Sequence, residues 1–236
     1  MIMSLKEKMM YSVMKAIYDS GIPMSFKGAM VLKVCLSEAG YTEETRHTSD
    51  IDANWTFAER PSAEQMVESL QKALDKAGID FKVSLYRMYE KNKSAGFKFS
   101  DIDTGNPIFT MDVDINKPVA LTKIYEVEGI RFYGALPLQM LADKIFAIST
   151  DKVFRRIKDV VDIYYLSKVL IFDKTGILDI LEKSGRRLES FYCFIYKSEE
   201  LRHSYEKFRF SGNAEKPSFD KVYATVKAYI KVLLPK

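Results

Sequence analysis

The sequence predicts an α+β protein: a mixed sheet flanked by helices, followed by a C-terminal helical domain. Three observations carry that expectation. Residues 1–135 interleave helical and strand periodicities, with a succession of β-branched and aromatic runs after residue 78. From residue 136 onward apolar residues recur only at helical spacing. No proline- and glycine-rich stretch intervenes, so the division into 1–135 and 136–236 is expected to occur without a linker.

The elements follow in order. A first helix spans about residues 4–19, with Met10, Val13, Met14 and Ile17 on one face and Gly21 to stop it. The short strand PMSF runs into KGAMVLKVCLSEAG, a turn and a helix that ends at Gly40. SDIDANWTF alternates Ile51 and Ala53 against polar neighbours, the period of a strand. Pro61 and Ser62 open a helix that closes at Gly78. IDFKVSLYRMYE, GFKFSDI, IFTMDVDI, VALTKIYEVEG and RFYGA read as strands, joined by turn signals such as DTGNP into a mostly sequential sheet. Beyond them PLQMLADKIFAIST, DKVFRRIKDVVDIYYLSKVL and KTGILDILEKSG each read as one helix, and two more fill 187–209 and 218–234.

Composition narrows the chemistry. With 47% hydrophobic and 29% charged residues, the chain is an ordinary globular mixture able to bury a core. No apolar run approaches the roughly 20 residues a membrane-spanning helix needs. The N-terminal segment carries Lys6, Glu7, Lys8 and Lys15, which suits an amphipathic helix rather than a secretory signal. Cys35 and Cys193 stand in no ligand spacing and read as reduced thiols, so a cytoplasmic protein with no membrane partner is expected. The formal net charge of +4 is compatible with a nucleotide or RNA partner. With only His47 and His203, Ser-His-Asp, Cys-His and histidine-rich zinc sites are poorly supplied. Carboxylates are the plentiful catalytic material.

Their arrangement is informative. Asp50 and Asp52 sit at i and i+2 of one expected strand, so both side chains point to the same face. Asp112 and Asp114 repeat the spacing in IFTMDVDI. Aspartate is depleted in strands, and like charges on neighbouring strands destabilise each other. Mg²⁺ supplies the missing partner: a hard cation, held by oxygen ligands and substrate phosphates, and a pair of such ions can clamp a phosphoryl displacement. Upstream, Gly28 marks a strand-to-helix turn, where backbone N–H groups attract phosphate oxygens. That turn alone is better explained by tight geometry, which needs glycine in any case; its coupling to an Asp-x-Asp strand favours a phosphate site.

These residues carry a resemblance. FKGAMVL followed by RHTSDIDANW is similar to the signature of the DNA polymerase β-type nucleotidyltransferases, and Arg46-x-Thr48-x-Asp50-Ile51-Asp52 resembles the AbiEii/AbiGii toxin-type members. LPLQMLADKIFAIS and RRIKDVVDIYYL resemble that family's later helices, so the likeness covers about residues 22–168. It implies a nucleotidyltransferase-type sheet, with the active site between it and the helical domain. It implies backbone contacts from Gly28 and Ala29 to nucleotide phosphates, although the family's second small residue is usually glycine or serine. Asp50, Asp52 and a third strand aspartate, preferentially Asp112 over Asp114, would hold Mg²⁺ as a pair of ions. Lys144 would approach the triphosphate of a bound NTP, and Asp159 would position Lys144 or the nucleotide. The implied reaction is NMP transfer from Mg-NTP to an RNA, tRNA-like acceptor, by the toxin of a bacterial toxin–antitoxin or phage-defence system with a cognate antitoxin protein as partner.

Other readings stay open at this point. Asp159 and Asp162 share a helix face and could simply pair with Arg155, Arg156 or Lys158, and Arg46 could pair with Glu43 or Glu44. Tyr164, Tyr165, Phe191, Tyr192, Phe194 and Tyr196 read as packing core. The acceptor could be a small molecule or a protein, or the fold could serve as a catalytically silent interaction module.

Overall fold

The computed structural model describes residues 3–89, 94–115, 121–212 and 214–234. The end of IDFKVSLYRMYE at residue 90 and the start of VALTKIYEVEG at residues 119–120 lie outside them. Contacts divide the chain into two units, one of residues 1–34 and 47–135, the other of residues 35–46 and 136–236.

The first unit is built on a seven-stranded mixed sheet among the described residues. Its strands are β1 (Met24–Lys27), β2 (Asp50–Trp55), β3 (Phe81–Tyr89), β4 (Ser94–Asp101), β5 (Pro107–Asp114), β6 (Thr122–Val127) and β7 (Ile130–Ala135), in the order β3-β4-β5-β2-β1-β7-β6. The sequential expectation holds for the antiparallel pairs β3–β4, β4–β5, β1–β2 and β6–β7. It fails at β2–β5 and β1–β7, which are parallel crossovers. Sequence periodicity shows where strands lie and says little about such long-range pairing.

Strand alternation separates two faces. Ile51, Ala53, Phe97, Phe99, Met111, Val113 and Phe132 are fully buried on one of them. Helices α1 (Leu5–Asp19) and α3 (Ala63–Ala77) pack together against the sheet there, with the Tyr11 and Phe132 rings 6.0 Å apart. The acidic residues of β2 and β5 occupy the other face. Both helices start on capping boxes, Ser4 with Glu7 and Ser62 with Gln65, which satisfy N–H groups that the first turn leaves open.

Glu7 does more than cap. It is fully buried, and its carboxylate accepts from Lys33 Nζ on helix α2 (Gly28–Glu38), lies 2.7 Å from His47 Nδ1 and accepts weakly from the Thr48 N–H at 3.4 Å. Thr48 in turn donates to Asp50 Oδ1 at 2.5 Å. One buried side chain thus ties α1, α2 and the approach to β2 together.

The second unit is helical: α4 (Pro137–Ser149), a 3-10 turn (Asp151–Arg155), α5 (Ile157–Leu166), α6 (Lys174–Lys183), α7 (Tyr192–Tyr196), α8 (Ser198–Lys207) and α9 (Phe219–Leu233). Two long helices expected from the sequence are broken. Residues 151–170 divide at Arg156, whose φ of −113° and ψ of 25° leave the helical region, and the chain leaves α5 after Leu166. Residues 187–209 begin without helix and divide at Lys197; Phe191 adopts φ +55° ahead of α7 and donates its N–H to Ser149 O. Apolar periodicity runs through both breaks, because a short turn can keep the same residues buried. Tyr164, Tyr165, Phe191 and Phe194 are core as expected, whereas Tyr192 and Tyr196 are exposed and pair ring to ring at 5.2 Å. Cys35 is buried and Cys193 half-buried, and both are free thiols.

Burial alone would raise the Glu7 carboxyl, but its bonds from Lys33, Ser4 and His47 outweigh that and hold it below the ordinary 4.5. A lowered folded-state value means stabilisation that is complete above the ordinary value and lost as pH falls through the folded one. Glu7→Gln, which strands the buried Lys33 ammonium, is expected to cost about 3 kcal/mol near neutral pH. Denaturant unfolding of both proteins should show that gap shrinking below about pH 4.5.

Candidate active site

The first unit gathers its candidate residues by register. On β2 and β5 the Cα partners are Asp50 with Thr110, Asp52 with Asp112, and Asn54 with Asp114. Asp52 therefore stands directly beside Asp112 on a parallel ladder, while Asp114 stands beside a neutral amide. All four aspartates are half-buried, neither lost in the core nor fully in solvent.

The row extends across five strands. Lys27 is the β1 partner of Asp52, Gly96 the β4 partner of Asp112, and Arg87 the β3 partner of Gly96. Arg87 Nη2 reaches over Gly96 to donate to both Asp112 oxygens, at 3.0 and 3.2 Å. Lys27 and Gly28 mark the point where β1 becomes α2. Gly28 has φ +73°, and a Cβ there would lie 2.3 Å from Asp52 Oδ2. Only glycine tolerates both the left-handed backbone and that approach. The open N–H groups of the first α2 turn, starting with Gly28 and Ala29, are thereby brought beside the Asp52 carboxylate.

A divalent cation has to be tested against these donors. Among the described residues, no three histidine, cysteine or acidic side chains are gathered closely enough to hold a metal ion. The donor chemistry nevertheless suits Mg²⁺: Asp50, Asp52 and Asp112 are hard oxygen ligands on one sheet face, and Gly28 leaves a cradle against Asp52 that any side chain would fill. In donor chemistry, though not in their present spacing, these residues suit such an ion.

In the second unit Lys144 and Asp159 meet as neighbours of a third residue. Lys144 Nζ, on α4, donates to Asp159 at 3.2 Å and to Asp162 at 2.7 Å, both on α5. Arg46 closes the group with donations to both Asp162 oxygens, at 3.0 and 3.1 Å. Asp159 Oδ2 is buried without a hydrogen bond, and Arg156 lies 3.8 Å from it. The i, i+3 spacing predicted the shared face, and the local pairing with Arg156 exists. The long-range partners, Lys144 for both aspartates and Arg46 for Asp162, leave no mark in local sequence. Arg87 and Glu7 were missed likewise, although Ser4-x-x-Glu7 is legible as a capping box.

Burial opposes charge on Lys144, but Asp162 and Asp159 outweigh it and hold the ammonium above its ordinary value. Burial also disfavours the Asp162 carboxylate, yet Arg46 and Lys144 bring its pKa down to about 2. The cluster is a charged, hydrogen-bonded assembly at neutral pH.

The family model described as nucleotidyl transferase AbiEii toxin, type IV TA system, matches residues 13–225. The chain belongs to this family and is a nucleotidyltransferase toxin. No curated protein matches the chain. Among solved structures, MenT4, a nucleotidyltransferase toxin from Mycobacterium tuberculosis H37Rv, is similar with a TM-score of 0.53 and 12% identity, over 97% of this chain and 92% of that one. At that identity the likeness speaks to fold. ANT(2″)-Ia in complex with adenylyl-2″-tobramycin is also similar, with a TM-score of 0.49 and 11% identity, over 76% of this chain and 99% of that one. Among the described residues no helix is long and apolar enough to cross a membrane.

Two outcomes follow from this geometry. Gly28→Ala, which forces Asp52 aside and strains a positive-φ position, is expected to weaken Mg-nucleotide binding at least about tenfold and to lower the thermal midpoint by several degrees. Calorimetry and a melting curve check both. Asp162→Asn, which leaves Lys144 and Arg46 buried without their shared anion, should cost about 3 kcal/mol. The Asp162 contribution is complete above the ordinary aspartate value of 3.8 and is lost as pH falls toward about 2. The Lys144 contribution, from a raised pKa, is present below 10.5 and lost as pH rises past it. Unfolding free energies across acid and alkaline pH should show Asp162→Asn flattening the acid limb.

Proposed function

We propose that the chain transfers an NMP from Mg-NTP to a hydroxyl of an RNA acceptor, breaking the bond between the α- and β-phosphates and releasing pyrophosphate, as the toxin of a toxin–antitoxin pair with a separately encoded antitoxin. The observation that supports this best is the pairing of Asp52 with Asp112 beside Gly28. In this reading Asp50, Asp52 and Asp112 hold the metal, which when bound supplies a Lewis acid for the α-phosphate. Asp112 is preferred to Asp114 because it is the partner of Asp52. The N–H groups of Gly28 and Ala29 bind phosphate oxygens, and glycine admits their close approach. Lys144 offsets triphosphate charge, and Asp159 and Asp162 fix its ammonium in direction. Asp112 accepts the proton of the attacking acceptor hydroxyl. Catalysis then rests on positioning and electrostatics, with no covalent intermediate on the protein.

The formal net charge of +4 favours an RNA acceptor over a cationic small molecule. The purified protein would be incubated with each labelled NTP, Mg²⁺ and total bacterial RNA, beside an Asp50→Ala/Asp52→Ala variant. Label should enter RNA with the native protein and fall at least about a hundredfold with the variant. Failure of the native protein both to label RNA and to bind Mg-NTP would sink the enzyme reading. Nucleotide binding with label on a protein or small molecule would replace the RNA acceptor.

A further inference from the structure

We propose that the Tyr86–Arg87 bulge of β3 is a positioning element that sets how tightly Asp112 takes a divalent cation. The proposal rests on the reading of Asp112 as a metal ligand. The β3–β4 register shifts between Leu85 and Arg87, so Tyr86 is the extra residue of a β-bulge. Bulges re-aim side chains, and this one brings two consecutive side chains toward the acidic face. A Cβ on Gly96 would lie 2.7 Å from Tyr86 Cε1, 3.1 Å from Asp112 Oδ1 and 3.2 Å from Arg87 Cβ. The phenol ring, the carboxylate and the arginine therefore converge on the one β4 position that has no side chain.

The consequences are electrostatic. Both Asp112 oxygens accept from Arg87 Nη2, so any cation using this carboxylate shares it with a guanidinium. Tyr86 holds that guanidinium in place, with Arg87 Cζ 5.2 Å from the ring centroid. A fixed positive charge beside a shared carboxylate opposes a second, divalent one. Arg87 and Asp112 are 43% and 37% exposed, so solvent and salt moderate the opposition without cancelling it. Arg87 thereby keeps bare divalent ions weak at Asp112, and an ion arriving with the negative charge of a triphosphate is favoured over an ion alone. The bulge makes metal entry depend on nucleotide.

Mn²⁺ binding to the full chain without nucleotide, followed by the paramagnetic signal of the free ion, tests this. Arg87→Gln is expected to bind Mn²⁺ roughly three- to tenfold more tightly than the native protein, by an amount that shrinks as salt is raised. Arg87→Lys, which keeps the charge, should stay near the native affinity, and Asp112→Asn should bind more weakly. A melting curve on each variant confirms the fold. Unchanged or weaker Mn²⁺ binding in folded Arg87→Gln, with Asp112→Asn weakened, overturns the role given to Arg87 and leaves the metal site standing. No change in Asp112→Asn overturns the metal assignment of Asp112 and this proposal with it.

Discussion

Asp52 and Asp112 face each other across a parallel ladder, where neighbouring strands run about 4.8 Å apart. Two carboxylates so placed repel, and a sheet does not keep them there without relief. Relief comes from both ends of the same row. Arg87 reaches Asp112 over Gly96, and Gly28 lets the start of α2, with its partial positive charge, come up against Asp52. The two glycines matter because each removes the side chain that would stand between a carboxylate and its relief.

The two units use one physical device. In each, a fully or almost fully buried carboxylate is surrounded by cationic or N–H donors, most of them from segments distant in sequence. Glu7 is bonded by Lys33, His47 and the Ser4 cap; Asp162 is bonded by Lys144 and Arg46. Burying an ion is costly unless its partners are correctly aimed, so such groups specify a unique arrangement more than they add net stability. Glu7 holds the segment that leads to Asp50, and Asp162 holds Lys144. Asp162 bonds its candidate functional side chain directly, and Glu7 reaches Asp50 through Thr48.

Local pattern carried much of this into view from the sequence. The Asp-x-Asp strand, the glycine at a strand-to-helix turn and the helix bearing Lys144 are all short-range features, and each stands where its spacing indicated. What the sequence hides is pairing at a distance. Arg46 and Asp162 are 116 residues apart, and nothing in either neighbourhood names the other. The β2–β5 crossover is of the same kind, and without it the relation of Asp52 to Asp112 has no expression. The helix breaks at Arg156 and ahead of α7 escaped because apolar spacing continues across them while the backbone does not. Tyr192 and Tyr196 show the complementary error, aromatic residues counted as core that instead lie against each other, tilted, on the exposed surface.

The alternation of β5 has a meaning for folding as well as for chemistry. Met111 and Val113 are buried under the helical layer while Asp112 faces away from it. A slip of one residue between β5 and its neighbours would exchange these sets, driving a carboxylate into the apolar layer and two large apolar side chains out of it. Such a mispaired sheet loses burial and gains a stranded charge in a single step. The arrangement that assembles the acidic row therefore also proofreads strand register, and a chain that has folded has, by the same act, aligned its site.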